Sequence, residues 1–203
     1  MTEQLASAPT GASSDVPVGR DGSVPTVDRA QVLRRVNELV RLVPDYPEPG
    51  ILFRDITPLL ADAEAFTAVV HAIAGAVEGP VDLVAGMEAR GFLFAAPVAV
   101  ALGAGVLPVR KAGKLPGPTA SESYALEYGT ATIEVHPDTI PAGARVLVID
   151  DVLATGGTAA ATVALLERCG AVVVGLAFLV ELEALRGRDH LEGHPIDVLV
   201  AVP

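Results

Sequence analysis

The sequence predicts an α/β protein: a single domain with a central, mostly parallel sheet flanked by helices, plus a flap over one end. Three observations lead there. Short apolar runs rich in β-branched residues, at 81–86, 106–109, 146–149, 172–180 and 196–202, alternate with helix-length runs. That alternation implies parallel pairing through right-handed crossovers. The hydrophobic content of 51% comes mostly from Ala, Val and Leu, with only 4% aromatic residues, which suits strands buried on both faces. At 203 residues the chain fits one domain with length for a sizeable core.

Residues 1–26 are rich in Ser, Ala, Gly, Pro and Thr without apolar periodicity and predict a disordered tail, leaving 27–203 as the domain. Asp28 is placed to cap a helix in which Val32, Leu33, Val36, Leu39, Val40 and Val43 recur at helical spacing. Asp45 to Gly50 breaks that helix with two prolines and a glycine. Ile51 to Pro58, taken alone, is a short extended segment with a turn, and Phe53 and Ile56 read as core. A second helix runs from about Asp62 to Val77, then a strand at 81–86 and a loop at 87–91. The next helix, Phe92 to Leu102, is expected to be interrupted or to start late around Pro97.

Residues 110 to about 138 break the pattern. Arg110 to Pro118 is basic and full of breakers, and two strands, 123–128 and 130–135, lie around Gly129. So long an excursion inside an α/β domain is usually a functional flap. The net charge of −11 opposes a nucleic-acid surface, which needs a basic footprint. In so acidic a chain the cluster Arg110, Lys111 and Lys114 points to an anionic ligand. No apolar run reaches the ~18 residues that span a bilayer, no signal peptide is visible, and the one cysteine, Cys169, allows no internal disulfide. A cytoplasmic location is expected.

Arg145 to Thr158 carries the chemistry. Four apolar residues lead to two adjacent carboxylates, Asp150 and Asp151, expected where the strand ends. Ala154-Thr155-Gly156-Gly157-Thr158 follows, then an alanine-rich helix, Ala159 to Cys169. Strand, small-residue loop and helix in that order make an anion site, because the loop N–H groups and the helix N-terminus converge and the glycines let a phosphate approach. Two carboxylates beside a phosphate cradle fit a ligand that also carries hydroxyls, or a divalent cation. A ribose 5-phosphate presents both ends.

This stretch resembles the phosphoribosyl-pyrophosphate motif of the type I phosphoribosyltransferases. With 45–50, Phe53 to Ile56, Ala89 to Phe94, Arg110 to Pro118 and Tyr124 to Tyr128, the chain from about 28 to 190 is similar to the adenine phosphoribosyltransferase family. The resemblance implies transfer of a 5-phosphoribosyl group from phosphoribosyl pyrophosphate to adenine, giving AMP and diphosphate with Mg2+ carried by the substrate rather than held by protein ligands. It places Arg90, Lys111 and Lys114 on the pyrophosphate, with Arg110 reaching toward a partner subunit in a homodimer. Asp150 and Asp151 would hold the ribose hydroxyls, and Ala154 to Thr158 the 5-phosphate. Phe53 and Leu182 would sandwich the base while the backbone at Arg54 reads its edge. A cis peptide is expected within Met87 to Arg90. Glu127 in the flap would handle the proton, with Glu122 and Glu181 as rival carboxylates. Residues 177–182 offer no cation, the nearest being Arg186. That favours a 6-aminopurine over a 6-oxopurine such as xanthine or hypoxanthine. A regulator that senses phosphoribosyl pyrophosphate and binds nucleic acid is opposed by the acidic charge.

Overall fold

The computed structural model describes residues 24–125 and 129–203. The chain begins with α1 (Arg29–Leu39), whose first turn is closed by the Asp28 carboxylate accepting from the Ala30 N–H at 3.0 Å. The helix stops at Leu39, short of the expected end. Residues 41–44 instead form β1 (Arg41–Pro44), paired antiparallel with β2 (Leu52–Asp55) in a two-stranded ribbon. Helical spacing of Val40 and Val43 loses here because the 41–44 backbone finds a complete partner strand in 52–55. After β2 comes a short helix, α2 (Thr57–Ala61), with Pro58 in its first turn, and then α3 (Ala63–Gly75) capped by Asp62.

The main sheet starts with β3 (Leu83–Met87), followed by α4 (Gly91–Leu102) and β4 (Gly105–Lys111). α4 runs unbroken through Pro97, against expectation. The carbonyl that proline leaves without a donor belongs to Leu93, on an exposed part of the helix, where water can serve it. The excursion contains β5 (Ala120–Ala125) and β6 (Thr130–Val135). It continues the sheet: β6 pairs antiparallel with the end of β4, Arg110 opposite Glu134 and Lys111 opposite Ile133. Next come β7 (Arg145–Leu153), α5 (Gly157–Arg168), β8 (Val172–Leu182) and β9 (Ile196–Val202).

The seven strands lie in the order β5-β6-β4-β3-β7-β8-β9, with β4, β3, β7, β8 and β9 mutually parallel. Two apolar cores sandwich the sheet. Leu147 and Ile149 of β7 join α1, α3 and α4 on one face, while Val146 and Val148 join α5 on the other. The uninterrupted apolar run in β7 is therefore explained by burial on both faces. The chain goes from β3 outward to β4, then returns to β7 and proceeds the other way to β8 and β9. The order thus reverses between β3 and β7, and a crevice beyond the carboxyl ends of the strands at that point is where open α/β sheets bind ligands.

Candidate active site

The loops after β3 and β7 meet at this switch point. Gly91 lets them do so: a Cβ there would lie 2.7 Å from the Ile149 carbonyl oxygen and 3.0 Å from Asp150 Oδ1. Any side chain would force α4 away from β7. The Glu88–Ala89 peptide in the β3 loop is cis, as the resemblance implied for this stretch.

β7 does not end at the two carboxylates but continues to Leu153, so Asp150 and Asp151 sit within the strand, where the Asp151 N–H donates to Asp150 Oδ1 at 2.9 Å. Asp151 is buried, at 4% exposure. Arg90 Nε approaches Asp151 Oδ2 to 3.0 Å, yet its N–H is not aimed at that oxygen, which is left buried without a hydrogen-bond partner. A buried acceptor without a donor is a place for a ligand hydroxyl or a cation-bound water. Burial first, and the neighbouring Asp151 charge second, hold the Asp150 carboxyl well above the usual carboxylate range. Hydroxyls donated to it by a ligand would favour its ionised form.

Ala154 to Gly156 link β7 to α5, which starts at Gly157. Asp150, Met87, Phe178 and the loop line an open cleft of about 80 Å3 at the helix N-terminus. Gly156 has φ +81°, and a Cβ on it would lie 2.3 Å from the Gly187 carbonyl oxygen, while a Cβ on Gly187 would lie 2.3 Å from the Ala154 carbonyl oxygen. Backbone therefore packs on backbone, and residues after β8 support the loop. Glu181 and Arg188 fix that support: Arg188 Nε and Nη2 donate to the Glu181 carboxylate at 2.7 to 2.9 Å. Gly187→Ala should displace the loop by an ångström or more, and misplacement on that scale costs roughly 100-fold in kcat/KM. Steady-state kinetics with phosphoribosyl pyrophosphate varied checks this, and unchanged kcat/KM would contradict it.

The basic cluster does not stand free. Glu88 Oε2 accepts from the Lys111 N–H at 3.0 Å and from Arg110 Nε at 3.4 Å, and Glu88 Oε1 accepts from Lys114 Nζ. Arg110 also donates to the Lys114 carbonyl of its own chain at 3.2 Å. The Lys114 and Leu115 N–H groups donate to Glu134 Oε1 at 2.9 and 2.8 Å, which fixes the turn to β6. The Lys114 ammonium foremost, joined by the Lys111 N–H and Arg110 and opposed by burial, holds the Glu88 carboxyl down at about 2. A depressed carboxylate contributes stability that is fully present above its unfolded value, ~4.3, and lost as pH falls through the folded value. The melting-temperature gap between the native chain and Glu88→Gln should therefore be present at pH 7, shrink below about pH 4 and close near pH 2. Thermal melts across that range test it, and a gap that widens on acidification would contradict it.

Arg90 links the two halves of the site. Its guanidinium lies 5.3 Å from the Phe53 ring centroid while its Nε reaches Asp151. Phe53 and Arg54 lie on β2, half-buried. Tyr46 packs edge-on against Phe53 at 5.1 Å. Leu182 ends β8 opposite Val202 and borders the first core. Glu127 lies outside the described residues. Both rival carboxylates are engaged: Glu122 accepts from Arg168 near the C-terminal end of α5, and Glu181 accepts from Arg188.

The phosphoribosyl transferase domain model matches residues 58–200. A protein of Thermobifida fusca named adenine phosphoribosyltransferase is 56% identical over 168 residues, covering 82% of this chain and 96% of the relative. One of Acidothermus cellulolyticus is 58% identical over 164 residues, covering 80% and 93%. The crystal structure of adenine phosphoribosyltransferase from Rhodothermus marinus superposes with a TM-score of 0.81 at 48% identity, covering 85% of this chain and 99% of that one. The chain belongs to the adenine phosphoribosyltransferase family. The Saccharomyces cerevisiae enzyme, solved in complex with an imino-altritol bisphosphate and adenine, superposes with a TM-score of 0.79 at 38% identity, covering 84% of this chain and 99% of that one. The sheet order and flanking helices are thus those of the type I phosphoribosyltransferase fold.

Within this adenine phosphoribosyltransferase fold the structure brings together Arg90, Asp150, Asp151 and the 154–158 loop, and joins Phe53 to them through Arg90. Glu88, Tyr124, Gly187 and Arg188 were missed as site-supporting residues. Glu88 lies two residues before Arg90 in the sequence, but its partners lie 22 to 26 residues away. Among the described residues no group of three or more His, Cys, Asp or Glu side chains is gathered to hold a metal ion, and no helix is long and apolar enough to cross a membrane.

Proposed function

We propose that this chain transfers the 5-phosphoribosyl group of phosphoribosyl pyrophosphate to adenine, forming AMP and diphosphate in purine salvage. The observation that carries the reading is Arg90, set between an aromatic ring and a buried carboxylate beside a glycine loop at the switch point. A base, a ribose and a phosphate each find a chemically matched neighbour there. N9 of adenine attacks C1 of the ribose, the C1–O bond breaks, and its electron pair leaves on diphosphate. Arg90, Lys111 and Lys114 meet the charge that develops on the leaving group, which requires Lys114 and Arg110 to share the anion with Glu88. Asp150 and Asp151 accept from the ribose hydroxyls, Ala154 to Thr158 hold the 5-phosphate, and Phe53 and Leu182 flank the base beside the Arg54 backbone. Glu127 takes the proton that adenine releases. Asp151 Oδ2, ion-paired with Arg90 Nε at 3.0 Å but accepting no hydrogen bond, suits the hydroxyls and hydrated cation of a ligand that brings its own Mg2+. Bound Mg2+ would neutralise charge on the diphosphate.

The location proposed is the cytoplasm. A homodimer is proposed from the exposed apolar side chains Leu93 and Val100, two turns apart on one face of α4, and Val106 on the following strand, β4. Light scattering should give twice the chain mass of 20.8 kDa; a single chain mass across working concentrations would contradict it. The functional reading is tested by supplying phosphoribosyl pyrophosphate, Mg2+ and each purine separately and identifying the nucleotide formed. Formation of IMP or GMP in preference to AMP would overturn it.

A further inference from the structure

We propose that Tyr124, on flap strand β5, is a positioning residue of the 5-phosphate site and acts through the Thr158 hydroxyl. This rests on the reading of 154–158 as the 5-phosphate cradle. Thr158 Oγ1 donates to the Tyr124 hydroxyl at 2.9 Å across 34 residues of sequence. The Tyr124 ring lies against Gly157, where a Cβ would be 3.4 Å from Tyr124 Cδ2. Its ring is half-buried against the core under α5. Toward its other end β5 is tied to α5 by Arg168, which donates to Glu122 and to the Ser121 carbonyl. The flap strand is therefore pinned to α5 twice, once remote from the loop and once on it.

A threonine hydroxyl has one proton and two acceptor lone pairs. While Thr158 donates to Tyr124, it has no proton for a phosphate. A phosphate dianion only accepts, so its arrival reverses the pair: Thr158 donates to the phosphate and Tyr124 donates to Thr158 Oγ1. Both changes are hydroxyl rotations and leave the heavy atoms in place. The phenol O–H then fixes the threonine rotor and polarises its proton toward the anion.

Tyr124→Phe keeps the ring on Gly157 and removes only the hydroxyl. Loss of one such hydrogen bond is expected to weaken ribose 5-phosphate binding, measured by calorimetry, roughly 3- to 10-fold. The KM for phosphoribosyl pyrophosphate should rise in step, with kcat less affected and the melting temperature unchanged. Arg168→Ala cuts the remote tie and should leave ribose 5-phosphate affinity unchanged. In a Thr158→Val background, Tyr124→Phe should add no further loss. Unchanged or tighter binding by Tyr124→Phe, an equal loss from Arg168→Ala, or additive losses in the double variant would each overturn the proposal. A second measurement needs no change at Tyr124. The chain has three tyrosines and no tryptophan, so a Tyr46→Phe, Tyr128→Phe protein reports Tyr124 alone. Its near-ultraviolet band should shift to the red when ribose 5-phosphate binds and the phenol becomes a donor, and an unmoved band overturns the proposal. AMP synthesis tests the function itself, so that reading and the role of Tyr124 fail separately.

Discussion

Glu127→Gln is expected to lower kcat by at least ~100-fold, within the ~100- to 10,000-fold range of general acid–base groups, while phosphoribosyl pyrophosphate affinity stays nearly unchanged. Adenine must lose its N9 proton as the new bond forms, and a carboxylate facing N7 stabilises the tautomer that carries the proton there. Glu127 follows the end of β5 at Ala125 by two residues and lies between Leu126 and Tyr128. The rival carboxylates have other occupations. Glu122 is held by Arg168, and Glu181 is clamped by both donors of the Arg188 fork. Rapid-quench or steady-state kinetics on Glu127→Gln and Glu122→Gln decide the assignment. Near-normal kcat in the first with a large loss in the second would move the role to Glu122.

Hypoxanthine is expected to be used less efficiently than adenine by several orders of magnitude, on the order of 10,000-fold in kcat/KM. A site whose buried polar groups are matched to one pattern of donors and acceptors leaves them unpaired against the other. A carbonyl at position 6 would want a cationic donor near the end of β8. The two arginines closest in sequence are both engaged: Arg186 pairs with Asp189 at 2.7 Å, and Arg188 with Glu181 at 2.7 Å. On the reading proposed above, the backbone around Arg54 reads the base edge instead. Comparable kcat/KM values for the two purines, measured side by side, would contradict this.

How much of this was legible in the sequence depends on the range over which each feature is determined. The buried strands at 83–87, 145–153, 172–182 and 196–202 carry their signal locally, as β-branched runs bounded by breakers, and β9 falls where the pattern places it. The 154–158 loop is equally local, since its two glycines and the helix that follows them are contiguous in the sequence. The 41–44 segment was misread because its side chains keep helical spacing while its backbone is claimed by 52–55. β7 runs four residues past the expected end at Ile149 because β8 continues to pair alongside it as far as Glu181. The partners of Glu88, the hydroxyl pair of Tyr124 and Thr158, and the backbone contact of Gly156 with Gly187 join segments 22 to 34 residues apart. No local pattern encodes such contacts, because the sheet order creates them.

The most direct test of the central claim is to incubate the protein with adenine, phosphoribosyl pyrophosphate and Mg2+ and to quantify AMP and diphosphate together by chromatography. The account predicts AMP and diphosphate in equal amounts, formed only when both substrates are present. Diphosphate released without AMP, or no reaction by a folded protein, would contradict it.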